Sequence, residues 1–234
     1  VACEAEARGA RLAFFEEGGR VVWLGHQLDY IAETMLMRLA RASGAGGLAA
    51  PRPVQNLPGR RVHVRPLLTL KKSEIVAALR AAGIPWRADS SNAGGHFFRN
   101  RIRRDVLPVW QAVAQRDALS GAARSRMLLE EDDAALEAWL AELRPTTAQG
   151  ALGLRRLAGK PRALLRRALH RWLLAQPAAG KLSRQGFDGL LDAIERGKPT
   201  RHSLGVKGFA VIRGGALWFE RNGKPRRKFQ RTAN

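Results

Sequence analysis

The clearest pattern of apolar and polar positions lies between residues 21 and 48. Residues 21–24 form a short apolar run, which predicts a buried strand. After Gly25 the apolar residues recur with the period of a helix and form one stripe: Leu28, Ile31, Ala32, Met35, Leu36 and Leu39. The other side of this predicted helix carries His26, Asp29, Tyr30 and Glu33. Ligands bind beyond the carboxyl ends of strands in open α/β sheets, so these polar side chains are candidates for a site.

Two other interpretations of this polar face stay open. A solvated helix surface carries the same residue types, because single carboxylates on helices are mostly exposed. A metal site is conceivable because imidazole and carboxylates bind several ions. We expect no metal ligands here, because the closely spaced ligand pairs of the strong metal motifs are missing.

The rest of the first half predicts alternating helices and strands. Residues 2–17 predict a helix, residues 42–60 a long loop rich in Gly, Ala and Pro, and residues 61–68 a strand. Thr69 is the expected cap of a helix over residues 70–82 that Gly83 ends. Its buried stripe would contain Ile75, Ala78, Leu79 and Ala82. This order is typical of an α/β domain with a parallel sheet.

A basic segment follows an edge segment at residues 84–86 and a turn at residues 89–92. It holds four arginines within six residues: Arg99, Arg101, Arg103 and Arg104. Arginine is the side chain that best clamps a phosphate group through two hydrogen bonds. In a helix, Arg99 and Arg103 would share one face, with Ile102 and Val106 turned inward. A basic surface helix without a ligand is the alternative.

The second half predicts mainly helices and then a hairpin. Residues 112–143 predict one long helix or two, whose acidic cluster at residues 130–133 we expect to be solvated. Pro161 opens a helix to residue 174, with Leu164, Leu165, Ala168, Leu169 and Trp172 inside and Arg162, Arg166, Arg167 and Arg171 outside. Ser183 caps a further helix, which Gly197 ends. Residues 204–219 predict a hairpin that turns at Gly214 and Gly215.

The net charge of the chain indicates which class of molecule it binds. Lys and Arg number 41 against 20 for Asp and Glu, a formal charge of +21, which favours a polyanion such as nucleic acid. The alternative explanation for this charge is an organism whose proteins are generally rich in arginine. No run of eighteen apolar residues occurs, so we expect no membrane span. Cys3 is the only cysteine, which excludes an internal disulfide and fits a cytoplasmic protein.

Two segments together resemble one family. HQLDYIAET at residues 26–34, followed by LxRLARASGxGGL, is similar to the HHxDDQAET…RxSGxxGL block of tRNA(Ile)-lysidine synthetases, members of the PP-loop (N-type ATP pyrophosphatase) group. Gln27, Tyr30 and Ile31 depart from that block, and Tyr30 stands where the family has an active-site carboxylate. Residues 86–108 match the family pattern W-x-x-D-x-S/T-N…R-N-x-I-R…P. Residues 7–11, AR-x-x-R, resemble a family helix whose arginines face the nucleotide or the tRNA.

The resemblance implies a domain order. Residues 1–111 would be the C-terminal part of an incomplete Rossmann-like PP-loop domain with parallel strands. Residues 112–145 would connect it to a smaller, mainly helical tRNA-binding domain at 146–222 that ends in a β-hairpin, and 223–234 would be a basic disordered tail. The family's phosphate loop, SGGxDS, is not found in the sequence. We therefore expect an N-terminally truncated piece that is inactive alone, from an active parent.

The resemblance also implies a reaction. ATP, accompanied by Mg²⁺, would adenylate the C2 oxygen of the wobble cytidine in a minor isoleucine tRNA with a CAU anticodon. The amine of free L-lysine would then displace AMP and give lysidine. The family is cytoplasmic and includes homodimers, so a homodimer is one assembly that the resemblance allows.

The resemblance also implies roles for those residues that match the family's motifs. His26 would hydrogen-bond the nucleotide or base, and Arg103 would stabilise developing negative charge. Substrates would be bound by Asp29, Tyr30, Glu33, Arg8 and Arg11. The tRNA would be contacted by Arg99, Arg101, Arg104, Arg166, Arg167, Lys224, Arg226 and Arg227.

Three rival classes can be weighed against this one. PP-loop enzymes that thiolate tRNA use paired cysteines, which a chain with Cys3 alone cannot supply. A non-catalytic tRNA-binding relative is favoured by Gln27 and Tyr30. A general nucleic-acid binding protein would explain the charge but not the two blocks.

Overall fold

The computed structural model describes residues 4–17, 20–57, 59, 61–87, 97–176, 182–206 and 208–222. The chain divides into two compact units, Val1–Ala134 and Ala135–Asn234. Each unit has its own cluster of buried apolar side chains. Within the described residues, no helix is both long and apolar enough to cross a membrane.

The first unit is mixed α/β. Its elements, in chain order, are α1 (Glu4–Glu17), β1 (Val21–Trp23), α2 (Leu28–Leu39), α3 (Ala45–Leu48), β2 (Val54–Leu57), β3 (Arg61–Val64), α4 (Lys72–Ala81), α5 (Phe98–Arg101), a π-helical segment (Ile102–Val106), α6 (Leu107–Val113) and most of α7 (Ala118–Leu143).

The three strands form one sheet in the order β1-β3-β2. The β1 and β3 strands are parallel, with Val22 opposite His63, and β2 is antiparallel to β3. The expected parallel pairing is thus confirmed, but the prediction of a buried first strand was wrong. Val21 and Trp23 are 53% and 72% exposed, because β1 lies at an edge of the described sheet and is paired there on one side only.

Helix α2 packs on a face rotated from the predicted one. Leu28, Ile31 and Ala32 are buried as expected, but Glu33, Thr34 and Met37 are buried too, and Leu39 is exposed. Leu28, Ala32 and Met37 belong to a cluster with Ile102, Leu107, Leu119 and Ala122. Periodicity could not anticipate the buried carboxylate, whose charge is matched by arginines that lie far away along the chain.

The predicted loop at residues 42–60 contains α3 and β2, so that prediction was wrong. The guanidinium of Arg38 donates to the carbonyl of Gly47 and thereby holds α3 against the end of α2. The cap of α4 is Lys71, not Thr69, and its backbone N–H donates to the Glu74 carboxylate at 2.6 Å. Helix α4 has no buried residue, so its predicted apolar stripe is only partly covered.

The acidic cluster on α7 is partly buried, contrary to the prediction of a solvated face. Asp133 is 4% exposed and accepts a hydrogen bond of 2.6 Å from Arg52. Glu130 accepts from buried Arg126 at 2.6 Å, and Arg126 also donates to the carbonyls of Ala49 and Pro51. Asp133 is buried because Arg52, in the segment after α3, supplies its counter-charge, and Arg52 also lies 3.5 Å from the half-buried Glu130.

The second unit follows its predicted pattern closely. Helix α8 (Arg162–Leu174) begins after Pro161 and buries all five predicted residues. Helix α9 (Arg184–Glu195) has Ser183 as its cap, whose hydroxyl accepts from the Gly186 N–H, and Gly197 follows with a φ of 64°. A 3₁₀ turn (Leu154–Leu157) precedes α8.

The predicted hairpin is confirmed as β6 (Gly208–Arg213) and β7 (Ala216–Arg221), which turn at Gly214 and Gly215 with φ values of 60° and 75°. Two strands that were not predicted extend it: β4 (Leu152–Gly153) and β5 (Thr200–Ser203). The four strands form an antiparallel sheet in the order β4-β7-β6-β5.

Candidate active site

The turn between β1 and α2 places His26 beyond the carboxyl end of a parallel strand, where the sequence predicted a site. The N–H of Leu24 donates to the carbonyl of Val64, and the N–H of Leu28 donates to that of Leu70. The first bond ties the turn to the last residue of β3, and the second ties the start of α2 to the segment that follows β3. The position of His26 is therefore set by the sheet.

Arg65, immediately after β3, holds the imidazole. Its Nε donates to Nδ1 of His26 at 3.1 Å, and its two Nη atoms donate to the carbonyl of Arg52 and the amide oxygen of Gln55, at 2.7 and 3.1 Å. Arg65 is 8% exposed, and burial lowers the pKa of its guanidinium while nearby Tyr30 opposes that effect. Since Nδ1 accepts a hydrogen bond, the proton of the neutral ring lies on Nε2, which can donate.

Sequence reasoning missed Arg65. No periodicity or motif used above singled it out. Its place at the carboxyl end of β3 was the available signal, because parallel strands β1 and β3 end at the same edge of the sheet.

Tyr30 lies between an imidazole and a guanidinium. The rings of His26 and Tyr30 are stacked with centroids 3.8 Å apart and planes at 21°. The guanidinium carbon of Arg99 lies 4.3 Å from the centroid of the Tyr30 ring, within the range of a cation–π contact. The side chain that replaces the family's carboxylate therefore links the two sequence blocks through its ring.

Glu33 and Arg103 form the central ion pair. Nε of Arg103 lies 2.6 Å from Oε1 of Glu33, and Nη2 lies 3.0 Å from Oε2, so the pair is bidentate. Nε of Arg99 is 3.8 Å from Oε2. Glu33 is 1% exposed, and its hydrogen bond raises the pKa of the Arg103 guanidinium. Among the described residues, Arg99 Nε is buried without a hydrogen-bond partner.

The helical register of the basic segment explains which arginines reach Glu33. Ile102 and Leu107 are buried, and Arg99 and Arg103 share a face as predicted. Val106 is 42% exposed, so the prediction that it turns inward was wrong. Residues 102–106 form a π-helix, whose wider turn shifts the phase of the residues after Arg103.

The other two arginines of this segment are exposed. The Arg101 guanidinium lies 5.8 Å from the Phe98 ring centroid, and Arg104 pairs with the neighbouring Asp105 at 2.6 Å.

Asp29 has a structural contact. Its Oδ2 accepts a hydrogen bond of 2.8 Å from the backbone N–H of Lys72 at the start of α4. A carboxylate at a helix N-terminus is favourable, because it meets both an unpaired N–H and the positive end of the helix dipole. Asp29 thus joins α2 to α4 on the side of α2 that carries Tyr30.

Several predicted site residues lie elsewhere or outside the description. Arg8 and Arg11 lie on α1, but their side chains are outside the described part of the chain, as are Lys224, Arg226, Arg227 and residues 89–92. In the second unit Arg166 is exposed, and Arg167 pairs with Glu137.

The site is cationic, with its carboxylates already engaged. Arg65 contacts His26, Arg99 contacts Tyr30 and Arg103 contacts Glu33, while Glu33 and Asp29 accept the bonds described above. In the described residues, no group of three or more His, Cys, Asp or Glu side chains could hold a metal ion. The arrangement offers guanidinium and imidazole donors, which suits an anionic ligand.

Comparison with known proteins gives a consistent result. Residues 1–110 match the sequence profile of the PP-loop domain. A tRNA(Ile)-lysidine synthase of Geobacter sulfurreducens is 41% identical over 204 residues, which cover 82% of this chain and 42% of that protein. Enzymes of the same name from Thermobifida fusca and Nocardia farcinica are 38% and 37% identical, over 74% and 81% of this chain and 54% and 60% of their own lengths.

The chain spans about half the length of these relatives. Both sequence blocks that converge on Glu33 lie within the matched domain. Residues 1–110 thus match the PP-loop domain family, and over most of its length the chain is similar to tRNA(Ile)-lysidine synthases.

Proposed function

We propose that this chain contributes part of the active site of a ligase that joins L-lysine, at the expense of ATP, to the wobble cytidine of an isoleucine tRNA with a CAU anticodon. The observation that carries the proposal is the convergence of Arg99 and Arg103 on Glu33, beside the stacked His26 and Tyr30. Both blocks that resemble the family meet at this point.

His26 would donate from Nε2 to the nucleotide or to the cytidine. The bond from Arg65 to Nδ1 supports this, because it leaves the ring proton on Nε2. Donors fixed in advance stabilise charge that develops during a reaction without having to reorganise. Arg103 would act on the phosphate oxygens, which gain negative charge as the C2 oxygen attacks the α-phosphate of ATP and diphosphate leaves.

The ion pair suggests an order of events. Glu33 is 1% exposed and its charge is matched by Arg103, so a lysine ammonium has little access to this carboxylate while the ion pair is intact. A triphosphate carries more charge than one carboxylate and would compete for the same guanidinium. We propose that ATP draws Arg103 away and so frees Glu33 for the lysine amine. Arg8 and Arg11 would add positive charge, and Asp29 would position α2.

ATP fits this cationic site, whereas a protein-held cation does not. Asp29 and Glu33 are both engaged, and the described residues contain no metal-binding cluster. Mg²⁺ commonly reaches enzymes on substrate phosphates with most of its waters retained. We propose that Mg²⁺ enters with ATP as part of the substrate.

The tRNA would meet exposed arginines of both units, among them Arg101, Arg104 and Arg166. The tail residues Lys224, Arg226 and Arg227 would add phosphate contacts. Such a reaction belongs in the cytoplasm, where tRNA is modified, and a homodimer is an assembly that the family allows.

The test is ATP-dependent transfer of labelled lysine to a transcript of the isoleucine tRNA. We expect ATP-dependent transfer of labelled lysine by the full-length protein that contains this chain. An Arg103→Lys variant of the complete product should lose most of its activity, because lysine cannot make the two parallel bonds of a guanidinium. A complete product that transfers no lysine would contradict the ligase assignment.

A non-catalytic tRNA-binding relative is the second candidate. It is favoured by Tyr30, whose ring contacts His26 and Arg99 where the family has a carboxylate. Under this reading the complete product binds the tRNA with ATP absent or present and transfers no lysine.

A further inference from the structure

The four-stranded sheet of the second unit has one face in the core and one face turned outward. Ala210, Ile212 and Leu217 are buried in the core cluster of that unit. The alternate residues Phe209, Val211 and Trp218 are only half-buried, and Arg201 and Arg213 are exposed. Successive residues of a strand point to opposite faces, so these five side chains share the outer face, named here the outer sheet face.

Strand register places these side chains next to one another. Val211 of β6 lies opposite Arg201 of β5 on one side and opposite Trp218 of β7 on the other. Phe209 and Arg213 lie two residues before and after Val211 on the same strand. Directly opposed residues on one face have Cβ atoms about 5 Å apart, so the group forms one continuous patch.

Each aromatic ring of the outer sheet face lies close to the guanidinium of an arginine. The guanidinium carbon of Arg201 is 3.4 Å from the Phe209 ring centroid, and that of Arg213 is 5.6 Å from the Trp218 ring. Arg201 also approaches Glu220 at 3.7 Å. Unpaired bases stack on aromatic rings and on guanidinium groups, so arginines beside half-buried rings form a cationic surface of the kind that such bases contact.

We propose that the outer sheet face binds unpaired nucleotides of an RNA, with Phe209 and Trp218 as stacking side chains and Arg201 and Arg213 as base and phosphate contacts. The formal charge of +21 on the chain favours a polyanionic partner. The aromatic rings favour RNA over an acidic protein surface, because only RNA offers planar bases that stack on them. The proposal rests on the proposed tRNA substrate, and it names a surface outside the PP-loop domain.

The test measures the affinity of the full chain for the isoleucine tRNA transcript over a range of salt concentrations. Trp218→Leu should weaken binding about tenfold while leaving the salt dependence unchanged, because a stacking contact releases no counterions. Arg201→Gln should weaken binding and reduce the slope of log K against log salt by about 1. Trp218→Phe should keep most of the affinity.

Two controls separate stacking from general attraction to charge. Arg184→Gln removes an exposed charge at the start of α9, away from the outer sheet face, and should change the affinity less than about twofold. A blunt duplex RNA has no unpaired bases, so Trp218→Leu should not alter its binding. Thermal melting of each variant checks that the sheet is intact.

The outcomes are distinct. If the chain binds tRNA but Trp218→Leu and Arg201→Gln behave like Arg184→Gln, the outer sheet face is not an RNA site, and the ligase proposal is untouched. If Trp218→Leu weakens duplex binding equally, the effect is not stacking and the inference also fails. If the unaltered chain does not bind tRNA at all, the proposed substrate fails with it.

Discussion

Glu33 carries its charge inside the first unit because two arginines compensate for lost water. Removing one partner of a buried pair leaves the other uncompensated, which costs more than the intact pair contributes. The free energy that this ion pair contributes can therefore be measured by denaturation of variants, and the contacts of His26 can be followed by NMR.

Arg103→Met should lower the free energy of unfolding by about 3 kcal/mol, because Glu33 then keeps only the longer contact to Arg99. Chemical denaturation measures this. The double variant Glu33→Gln/Arg103→Met should lose clearly less than Arg103→Met alone. Arg104→Met, which breaks an exposed pair with Asp105, should leave the midpoint almost unchanged. Equal losses in Arg103→Met and Arg104→Met would contradict the assigned burial of Glu33.

Arg65→Met should change the state of His26. With Arg65 present, the ring proton lies on Nε2; without it, both tautomers of the neutral ring become accessible. Nitrogen-15 NMR of labelled histidine reads this directly. Arg124→Met, an exposed change on α7, should leave the His26 signals in place. A mixed tautomer population in the unaltered chain would refute the role assigned to Arg65.

His63 should make stability depend on pH. Burial, and then Arg65 and Arg61, lower its pKa in the folded chain, so the unfolded chain binds the proton more readily. Its contribution to stability is complete above the unfolded pKa and is lost as the pH falls from about 7 to 5. In His63→Gln, the free energy of unfolding should fall less over that range. The same pH dependence in both proteins would show that His63 does not contribute.

At the scale of elements, local irregularities position the site. Arg99 and Arg103 reach Glu33 from one helix face, and the π-helical segment shifts the residues after Arg103, so that Val106 is exposed and Leu107 is buried. Helix α3 brings Gly46 against α7, where a Cβ built on Gly46 would lie 2.7 Å from Oδ1 of Asp133. The glycines of the RxSGxxGL-like block are thus explained at one position by close packing.

Gly46→Ala should destabilise the first unit by about 1–3 kcal/mol, because Asp133 is buried and bonded to Arg52 and so has little freedom to move. Thermal melting measures the change. Gly121→Ala is the matched control: this helical glycine has nothing within 4 Å of its added Cβ, and alanine should raise stability by up to about 1 kcal/mol. Equal shifts in the two variants would show that the contact with Asp133 carries no strain.

At the scale of the whole molecule, the excess of positive charge determines how strongly the binding of nucleic acid depends on salt. Binding to tRNA should weaken by about 10³-fold or more between 50 and 200 mM salt, because each neutralised phosphate releases counterions. Filter binding or fluorescence anisotropy at several salt concentrations measures the slope. A nearly salt-independent affinity would mean that the charge of +21 does not serve nucleic-acid binding.

The second unit shows how far sequence pattern reaches. Its helix faces, the cap at Ser183 and the glycine turn follow from local spacing, and all are confirmed. The short strands β4 and β5 were missed, because two and four residues carry too little periodicity to stand out. These two segments form strands because they pair with β7 and β6.

The sequence by itself determined the α/β class of the first unit, the helices of the second, the resemblance to lysidine synthetases and the residues that form the two blocks. Only the tertiary structure decided that Glu33 is buried, that the Tyr30 ring contacts both His26 and Arg99 and that Arg65 holds His26. The reason is physical. Periodicity records which face of a helix avoids water, whereas a buried charge depends on a partner 70 residues away whose approach no local pattern encodes.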